Sequence, residues 1–262
     1  MARHDGHNGV LGSIGKLSYY KRRDSDEIYI RRKGGPSASA IKHLPNFEHV
    51  RKNNNEFSCR AKAASYVRRA ILPLKFILDF NLNAKLMQVL KPVQVLDSVS
   101  PWGKRGIELT KHGSLLEGLS MNKKFSFDSI VTNPVNVEIM KDELSASFQV
   151  PELVLRANFL PPTIFSFYRI VVCLGDVPDI TIPGTDPEPF FYIPVFSDST
   201  TAWKAIREKQ AATELIVKLA KAPSSPSFSL IAAVGIEFGR AAAIDDIDRI
   251  QYVGAGKILR VL

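Results

Sequence analysis

The first clear pattern of polar and apolar positions is a pair of short alternating runs near the start of the chain. Residues 16–21 and 28–33 mix tyrosine, isoleucine and leucine with cations, and a polar stretch separates them. Aromatic and β-branched residues in alternation indicate strands, and a polar stretch between two such runs indicates a hairpin. We therefore predict a β-hairpin here. Residues 1–15 are rich in glycine and poor in apolar bulk, which predicts an extended arm or an irregular loop before it.

Helical periodicity follows the hairpin. Asn53 and Glu56 fit the N-cap and N3 positions of a capping box. Apolar residues then recur every three or four positions over 57–71, which predicts a helix with one apolar face. Pro73 is expected to end or kink this helix. A second apolar helical run covers about 74–90.

The periodicity changes after residue 123, where short runs rich in valine, isoleucine and phenylalanine are bounded by proline, glycine, aspartate or asparagine. One helix is expected among them, over 197–212. The predicted strands are Lys124–Val131, Val135–Met140, Ser145–Val150, Phe165–Leu174, Pro189–Phe196, Glu214–Ala220, Ser227–Phe238, Arg249–Val253 and Lys257–Leu262. So many short strands are typical of an antiparallel β-sandwich. The sequence does not decide whether its topology is that of a jelly roll or of another sandwich.

The predicted fold class is therefore α+β and mainly β. We expect a basic arm and hairpin over 1–56, a helical connector over 57–122 and a C-terminal antiparallel β-sandwich over 123–262.

Charge divides the chain unevenly. Residues 1–75 hold 16 lysines and arginines against 6 aspartates and glutamates, whereas the remaining residues hold 19 against 20. The whole net charge of +9 thus comes from the first part of the chain. A local positive field attracts anionic partners while the rest of the protein stays neutral. The overall composition, 45% apolar and 23% charged, is that of an ordinary globular protein.

A search for catalytic, metal-binding and cofactor-binding patterns predicts no such site. The glycines before Lys16 lack the spacing of a phosphate loop, and Leu17 stands where that motif needs serine or threonine. The histidines and the two cysteines, Cys59 and Cys173, lack zinc-site spacing. We expect reduced thiols, with Cys173 in the core. No apolar run reaches the ~20 residues of a membrane span and no signal peptide is recognised, so a cytoplasmic protein is expected.

The basic region is the one positive signal for function. Cations there alternate with tyrosines, as suits nucleic acid: cations meet phosphates, and aromatic rings stack on bases. On a hairpin, Tyr19 and Lys21 point to one face while Tyr20 and Arg22 point to the other, so one face can pack while the other contacts a polyanion. An anionic protein partner and merely solvated charges are the alternatives. The candidate residues are Lys16, Tyr19, Tyr20, Lys21, Arg22, Arg23, Tyr29, Arg31, Arg32, Lys33, Arg68 and Arg69, with Arg60 and Lys62 on the same helix as the last two.

Several motifs carry a resemblance to a set of uncharacterised bacterial proteins. They are Gly12-x-x-Gly15-Lys16-x-Ser18-Tyr19-Tyr20-Lys21, Arg32-Lys33-Gly34-Gly35, Pro45-x-Phe47-x-x-Val50-Arg51-x-Asn53-x-x-Glu56-Phe57 and the late Gly235-Ile236-Glu237-Phe238. The first three motifs resemble the opening of these proteins, over about the first 75 residues, and the last resembles their closing strands. The resemblance implies that the basic opening belongs to the protein itself, and it transfers no activity.

Three functional hypotheses result. The first is a non-enzymatic structural protein, a homo-oligomer or larger assembly such as a virion-like particle, whose basic region contacts neighbouring subunits or nucleic acid. This rests on a fold-level analogy. The second is a nucleic-acid-binding module that acts as a monomer or small oligomer. The third is a β-sandwich carbohydrate-active enzyme, for which Trp102 or Trp203 could line a sugar site.

Overall fold

The structure, a computed structural model, describes residues 3–4, 9–22, 25–78, 81–162, 165–182, 192–243 and 246–262. The chain divides into two compact units, Met1–Arg51 and Lys52–Leu262. In the described part of the chain, no helix combines the length and apolarity needed to cross a lipid bilayer.

The first unit contains a four-stranded antiparallel meander in which each strand pairs with the next along the chain. Gly15 and Lys16 form the tight turn between its second and third strands, and Gly15 takes a φ of 53°, a left-handed conformation that glycine adopts without strain. The elements are β1 (Arg3–His4), β2 (Val10–Ile14), β3 (Leu17–Lys21), β4 (Ile28–Arg32), helix α1 (Ala38–His43) and a 3-10 turn over Pro45–Phe47.

The helices of the second unit precede most of its strands in the chain. Helix α2 (Glu48–Ala70) starts at the end of the first unit and stops three residues before Pro73, as that proline predicts. A 3-10 segment over Leu72–Ile77 leads on to the next helix. The remaining helices are α3 (Leu82–Val95), α4 (Leu109–His112), a 3-10 turn over Gly113–Leu116 and α5 (Phe127–Ile130).

The strands of the second unit form two antiparallel sheets. They are β5 (Asn136–Met140), β6 (Ser145–Val150), β7 (Phe167–Pro178), β8 (Phe196–Thr200), β9 (Lys204–Ala205), β10 (Thr213–Lys218), β11 (Phe228–Ala243) and β12 (Asp246–Val261). The smaller sheet has the order β10-β6-β5. The larger has the order β12-β11-β7-β8, with β9 also paired to β7. The α+β, mainly β class is thus confirmed.

The larger sheet is covered on both faces, so the second unit has three layers. Val171 and Cys173 of β7 point into a core shared with α2, α3 and the 3-10 segment between them. Ile170, Val172 and Leu174 point into a second core, shared with the smaller sheet and α5. Because both faces of β7 are covered, apolar residues follow one another along this strand instead of alternating with polar ones.

Gly175 marks the closest approach between the helical layer and β7. A Cβ atom built on this residue would lie 2.4 Å from the backbone oxygen of Ala70 and 2.6 Å from its Cα. No side chain fits there unless the backbone moves. The end of α2 can therefore lie directly on the strand, and this close contact depends on glycine at this position.

Several sequence expectations for local structure were wrong. Part of the expected N-terminal arm is strand, because residues 10–14 pair with β3, and residues 1–2 and 5–8 lie outside the described residues. Asn53 does not cap a helix, since α2 begins five residues earlier. The apolar face of α2 also differs from the predicted one: Phe57, the first residue of the predicted apolar run, is 58% exposed, and Tyr66 is buried.

The strand expected over 124–131 contains helix α5 instead, because the Ser126 hydroxyl accepts the Ser129 N–H as an N-cap. The helix expected over 197–212 is absent from these residues, all of which the structure describes. Residues 197–200 and 204–205 instead pair with β7 in strands β8 and β9, and the Thr201 hydroxyl accepts the Ile170 N–H at 3.0 Å. Of the expected strand Pro189–Phe196, residues 189–191 lie outside the described residues and only Phe196 is in a strand.

Candidate nucleic-acid interface

The register of β3 with β4 assigns the candidate residues to two faces of the N-terminal sheet. Tyr20 stands opposite Tyr29, and Ser18 stands opposite Arg31. Residues directly opposite each other in an antiparallel pair point to the same face. The predicted alternation is thus present: Tyr20, Tyr29 and Arg31 share one face, which we call the tyrosine face, while Tyr19, Lys21 and Arg32 share the other.

Aromatic and cationic side chains stack on the tyrosine face. The Tyr20 and Tyr29 ring centroids are 5.9 Å apart and the rings are tilted by 32°. The guanidinium carbon of Arg22 lies 4.7 Å from the centre of the Tyr29 ring, and that of Arg31 lies 5.5 Å from the centre of the Tyr20 ring. Such stacking holds a guanidinium group in place and leaves its N–H donors free for other acceptors.

Two lysines extend the positive charge at the turn end of this sheet. The Lys33 N–H donates to the Lys16 carbonyl oxygen at 2.7 Å, which brings both residues to the same end of β3 and β4. Both side chains are exposed. Within the described part of the chain, Lys16, Lys33, Arg22 and Arg31 form no ion pair with a carboxylate.

The opposite face of the N-terminal sheet is mainly apolar and exposed. Ile14 and Leu17 stand opposite each other and are 52% and 36% exposed, and Ile30 is 60% exposed. Arg32 lies beside Leu17 in the ladder. One small sheet therefore carries a cationic aromatic surface and an aliphatic surface back to back.

The remaining candidate residues do not belong to this sheet. Arg68 and Arg69 lie in the last turn of α2, in the second unit, and both are exposed. Arg23 lies outside the described residues. The tryptophans named for a sugar site both stack with cations: the Lys52 Nζ lies 5.3 Å from the Trp102 ring centre, and the Arg169 guanidinium carbon lies 4.6 Å from that of Trp203.

The structure also shows polar groups of the second unit that sequence reasoning missed. One is the ion pair of Glu56 with Arg105. Arg105 donates to both carboxylate oxygens of Glu56, at 2.7 and 2.9 Å, and the Gly103 N–H donates to Oε1 at 2.8 Å. Burial by itself raises the pKa of Glu56, but these hydrogen bonds and the Arg105 charge outweigh burial and lower it. The partners are separated by 49 residues, so local spacing gave no signal.

Another group is centred on Glu237 of β11, whose side chain is 2% exposed. Its Oε2 accepts from Arg169 Nε at 2.8 Å and from Arg249 Nε at 3.0 Å. The guanidinium carbon of Arg249 also lies 4.3 Å from the Phe76 ring centre. Glu237 thus joins two arginines from the neighbouring strands, and each arginine is held against an aromatic ring.

A third group is Asp176 of β7, which is fully buried. Its Oδ1 accepts the Val195 N–H, and its Oδ2 has no hydrogen-bond partner among the described residues. Burial raises the pKa of Asp176 to about 6, against the lowering effect of the backbone hydrogen bonds.

Cys59 and Cys173 are both buried free thiols, and burial raises the pKa of each. In the described ranges, histidine, cysteine, aspartate and glutamate side chains form no group of three or more suited to hold a metal ion. Comparisons of the chain with protein-family models, curated proteins and solved structures give no match.

Proposed function

We propose that this protein binds nucleic acid through the tyrosine face of its N-terminal sheet. The observation that carries the proposal is the layer formed by Tyr20 and Tyr29 with Arg22 and Arg31 stacked on their rings. Guanidinium planes and aromatic rings both stack on unpaired bases, and free guanidinium N–H groups donate to phosphates. Lys16 and Lys33 add positive charge at the turn end of the sheet, for the phosphate backbone of a bound nucleic acid.

Single-stranded nucleic acid suits this surface better than a duplex. The strands that carry it are five residues long, or about 17 Å, and the surface is flat and aromatic. Bases of a single strand are free to stack on such a surface, whereas duplex bases are already stacked and paired. We expect binding with little sequence preference, because stacking and phosphate contacts read no base edges.

The test compares two double variants that remove the same charge from opposite faces. Arg22→Gln/Arg31→Gln is expected to weaken binding of a fluorescein-labelled oligothymidine of about 30 nucleotides by about tenfold or more. Lys21→Gln/Arg32→Gln, on the other face, is expected to have a much smaller effect. Fluorescence anisotropy over a series of salt concentrations provides the measurement. The slope of log K against log salt should fall by about 0.7 for each lost phosphate contact.

Two results would contradict the proposal. Equal weakening by both double variants would show that only overall charge matters. Unchanged affinity in Arg22→Gln/Arg31→Gln would show that the tyrosine face is not the interface. All four residues are exposed, so circular dichroism should confirm that the sheet remains folded before the affinities are compared.

Assembly of identical subunits is a second candidate, supported by the apolar face of the same sheet. Ile14, Leu17 and Ile30 form an exposed aliphatic surface on the face opposite the tyrosine face. A second copy bound there leaves Arg22 and Arg31 accessible to nucleic acid. Burial of the aliphatic side chains against a second copy is worth about 25 cal/mol for each Å² of apolar surface.

We expect Ile30→Lys to shift any self-association towards the monomer, because it places an ammonium group in the middle of that aliphatic surface. Light scattering on a concentration series of the wild type and the variant is the measurement. An exposed Ile216→Lys on β10 is the matched control, since it adds the same charge to a different sheet. A wild-type chain that is monomeric at every concentration and salt level would exclude this candidate.

A further inference from the structure

A cleft between α2 and α3 in the second unit combines uncompensated cations with an exposed aromatic ring. Its volume is about 310 Å³. Asn53, Phe57 and Arg60 line it from α2, where their spacing of three to four residues puts them on one side of the helix. Lys91 and Gln94 line it from α3. We call it the helix cleft.

The single carboxylate that lines the helix cleft is already neutralised. Glu56 accepts from Arg105 through both oxygens and from the Gly103 N–H through one. Gln94 fixes the loop that carries Arg105, because its Nε2 donates to the Arg105 carbonyl oxygen at 2.8 Å and to the Glu56 carbonyl oxygen at 3.2 Å. The charges of Glu56 and Arg105 cancel, and those of Arg60 and Lys91 remain.

Arg60 and Lys91 are short of acceptors. The buried Nε of Arg60 has no hydrogen-bond partner among the described residues. Its guanidinium carbon lies 6.0 Å from the centre of the Phe57 ring, which keeps the group at the cleft. Lys91 is exposed and forms no ion pair with any other residue that the structure describes. A buried N–H donor without an acceptor is costly, so the site favours a ligand that brings oxygen atoms.

We propose that the helix cleft binds a phosphate group. Phosphate offers several acceptor oxygens and enough negative charge to pair with both Arg60 and Lys91. The side-chain amide of Asn53 supplies a further N–H donor at the cleft wall. Phe57, 58% exposed, offers a ring on which the base attached to a phosphate can stack.

The phosphate can come from a nucleotide monoester or from the backbone of a nucleic acid. All the residues involved lie in the second unit, so the proposal stands independently of the N-terminal sheet. If the source is a nucleic-acid backbone, the inference rests on the proposed function and deepens it by adding a phosphate contact in the second unit.

The experiment compares Arg60→Gln/Lys91→Gln with the full-length wild-type protein. Lys85→Gln/Lys218→Gln is the control, because it removes two exposed lysines that do not line the helix cleft. Isothermal titration calorimetry measures binding of inorganic phosphate and adenosine monophosphate, and anisotropy measures binding of the labelled oligothymidine. We expect the cleft variant to lose about tenfold or more in affinity for at least one of these probes, and the control to change little.

Loss of monophosphate binding in the cleft variant would support the proposal with a monoester as the source. Loss of oligothymidine affinity alone would support it with a backbone phosphate as the source. The proposal would be overturned if the cleft variant bound every probe as tightly as the wild type does. The same holds if the wild type bound neither phosphate nor adenosine monophosphate and the cleft variant kept its full affinity for oligothymidine. Equal loss in the control would also overturn it, because diffuse charge would then explain the effect.

Two further measurements keep these outcomes interpretable. Lys91→Gln alters one exposed side chain, so it tests the helix cleft even if the double variant fails to fold. Arg22→Gln/Arg31→Gln tests the tyrosine face separately: unchanged oligothymidine binding there, together with loss in the cleft variant, would remove the proposed interface and leave the helix cleft standing.

Discussion

Replacing Glu237 by glutamine is expected to lower the free energy of unfolding by about 3–5 kcal/mol. The carboxylate is 2% exposed and accepts from two arginines, whose side chains are only 17% and 31% exposed. Glutamine has nearly the same shape but no charge, and its amide nitrogen cannot accept a hydrogen bond. The variant therefore leaves two adjacent guanidinium groups partly buried without a counter-charge. Removing one partner from a buried ion pair costs much more than the intact pair contributes.

Urea unfolding monitored by circular dichroism measures this effect. Glu138→Gln is the control, because Glu138 is an exposed strand residue whose carboxylate contacts no described cation. Its expected effect is within about 0.5 kcal/mol. A loss below about 1 kcal/mol in Glu237→Gln would mean that water solvates both arginines readily, and that the three charges contribute little to the stability of the sheet.

Replacing Asp176 by asparagine is expected to change how stability depends on pH. The folded-state pKa is about 6, above the value of about 3.8 for an aspartate in the unfolded chain. Between these values the folded chain binds a proton that the unfolded chain has lost. Stability of the wild type therefore falls as pH rises through this window, by on the order of 3 kcal/mol in total, and the loss is complete above pH 6. Asparagine carries no titrating proton, so the variant lacks this loss.

The measurement is the unfolding free energy of both proteins at about pH 4 and about pH 7.5. The stability of Asp176→Asn relative to the wild type should rise by about 2–3 kcal/mol between the two. The comparison across pH removes the constant cost of placing an amide beside the Val195 N–H. Asp142→Asn, at an exposed turn, is the control for general effects of pH. A relative stability that stays constant with pH would show that burial does not raise the pKa of Asp176 above its value in the unfolded chain.

The local parts of the fold could be predicted from the sequence. The hairpin of β3 and β4 follows from alternation within a few residues and from the turn between the strands, and the same alternation predicts which side chains share each face of the sheet. Strand β6 has the predicted bounds for the same reason. The end of α2 follows from Pro73, whose ring and missing N–H act locally.

The wrong predictions of local structure concern segments whose conformation depends on contacts with residues far away in the chain. Glu56 looked like the N3 residue of a capping box, but its partner Arg105 lies on a loop after α3. Residues 197–212 contain good helix formers, yet residues 197–200 and 204–205 pair with β7 as strands. The helix cleft requires α2 and α3 to pack side by side, a contact that no local sequence pattern encodes.

Burial of the larger sheet on both faces determines how this protein can be divided. The apolar row of β7 that includes Val171 and Cys173 is covered by helices that precede it in the chain. A fragment that began at residue 123 would keep every strand of the second unit and lose that cover. Its uncovered aliphatic surface would attract other copies of the fragment, and β-rich segments with this composition are prone to aggregate. The helices therefore keep the strands soluble, and the smallest dispersed piece that limited proteolysis releases should retain α2 and α3 together with the two sheets of the second unit.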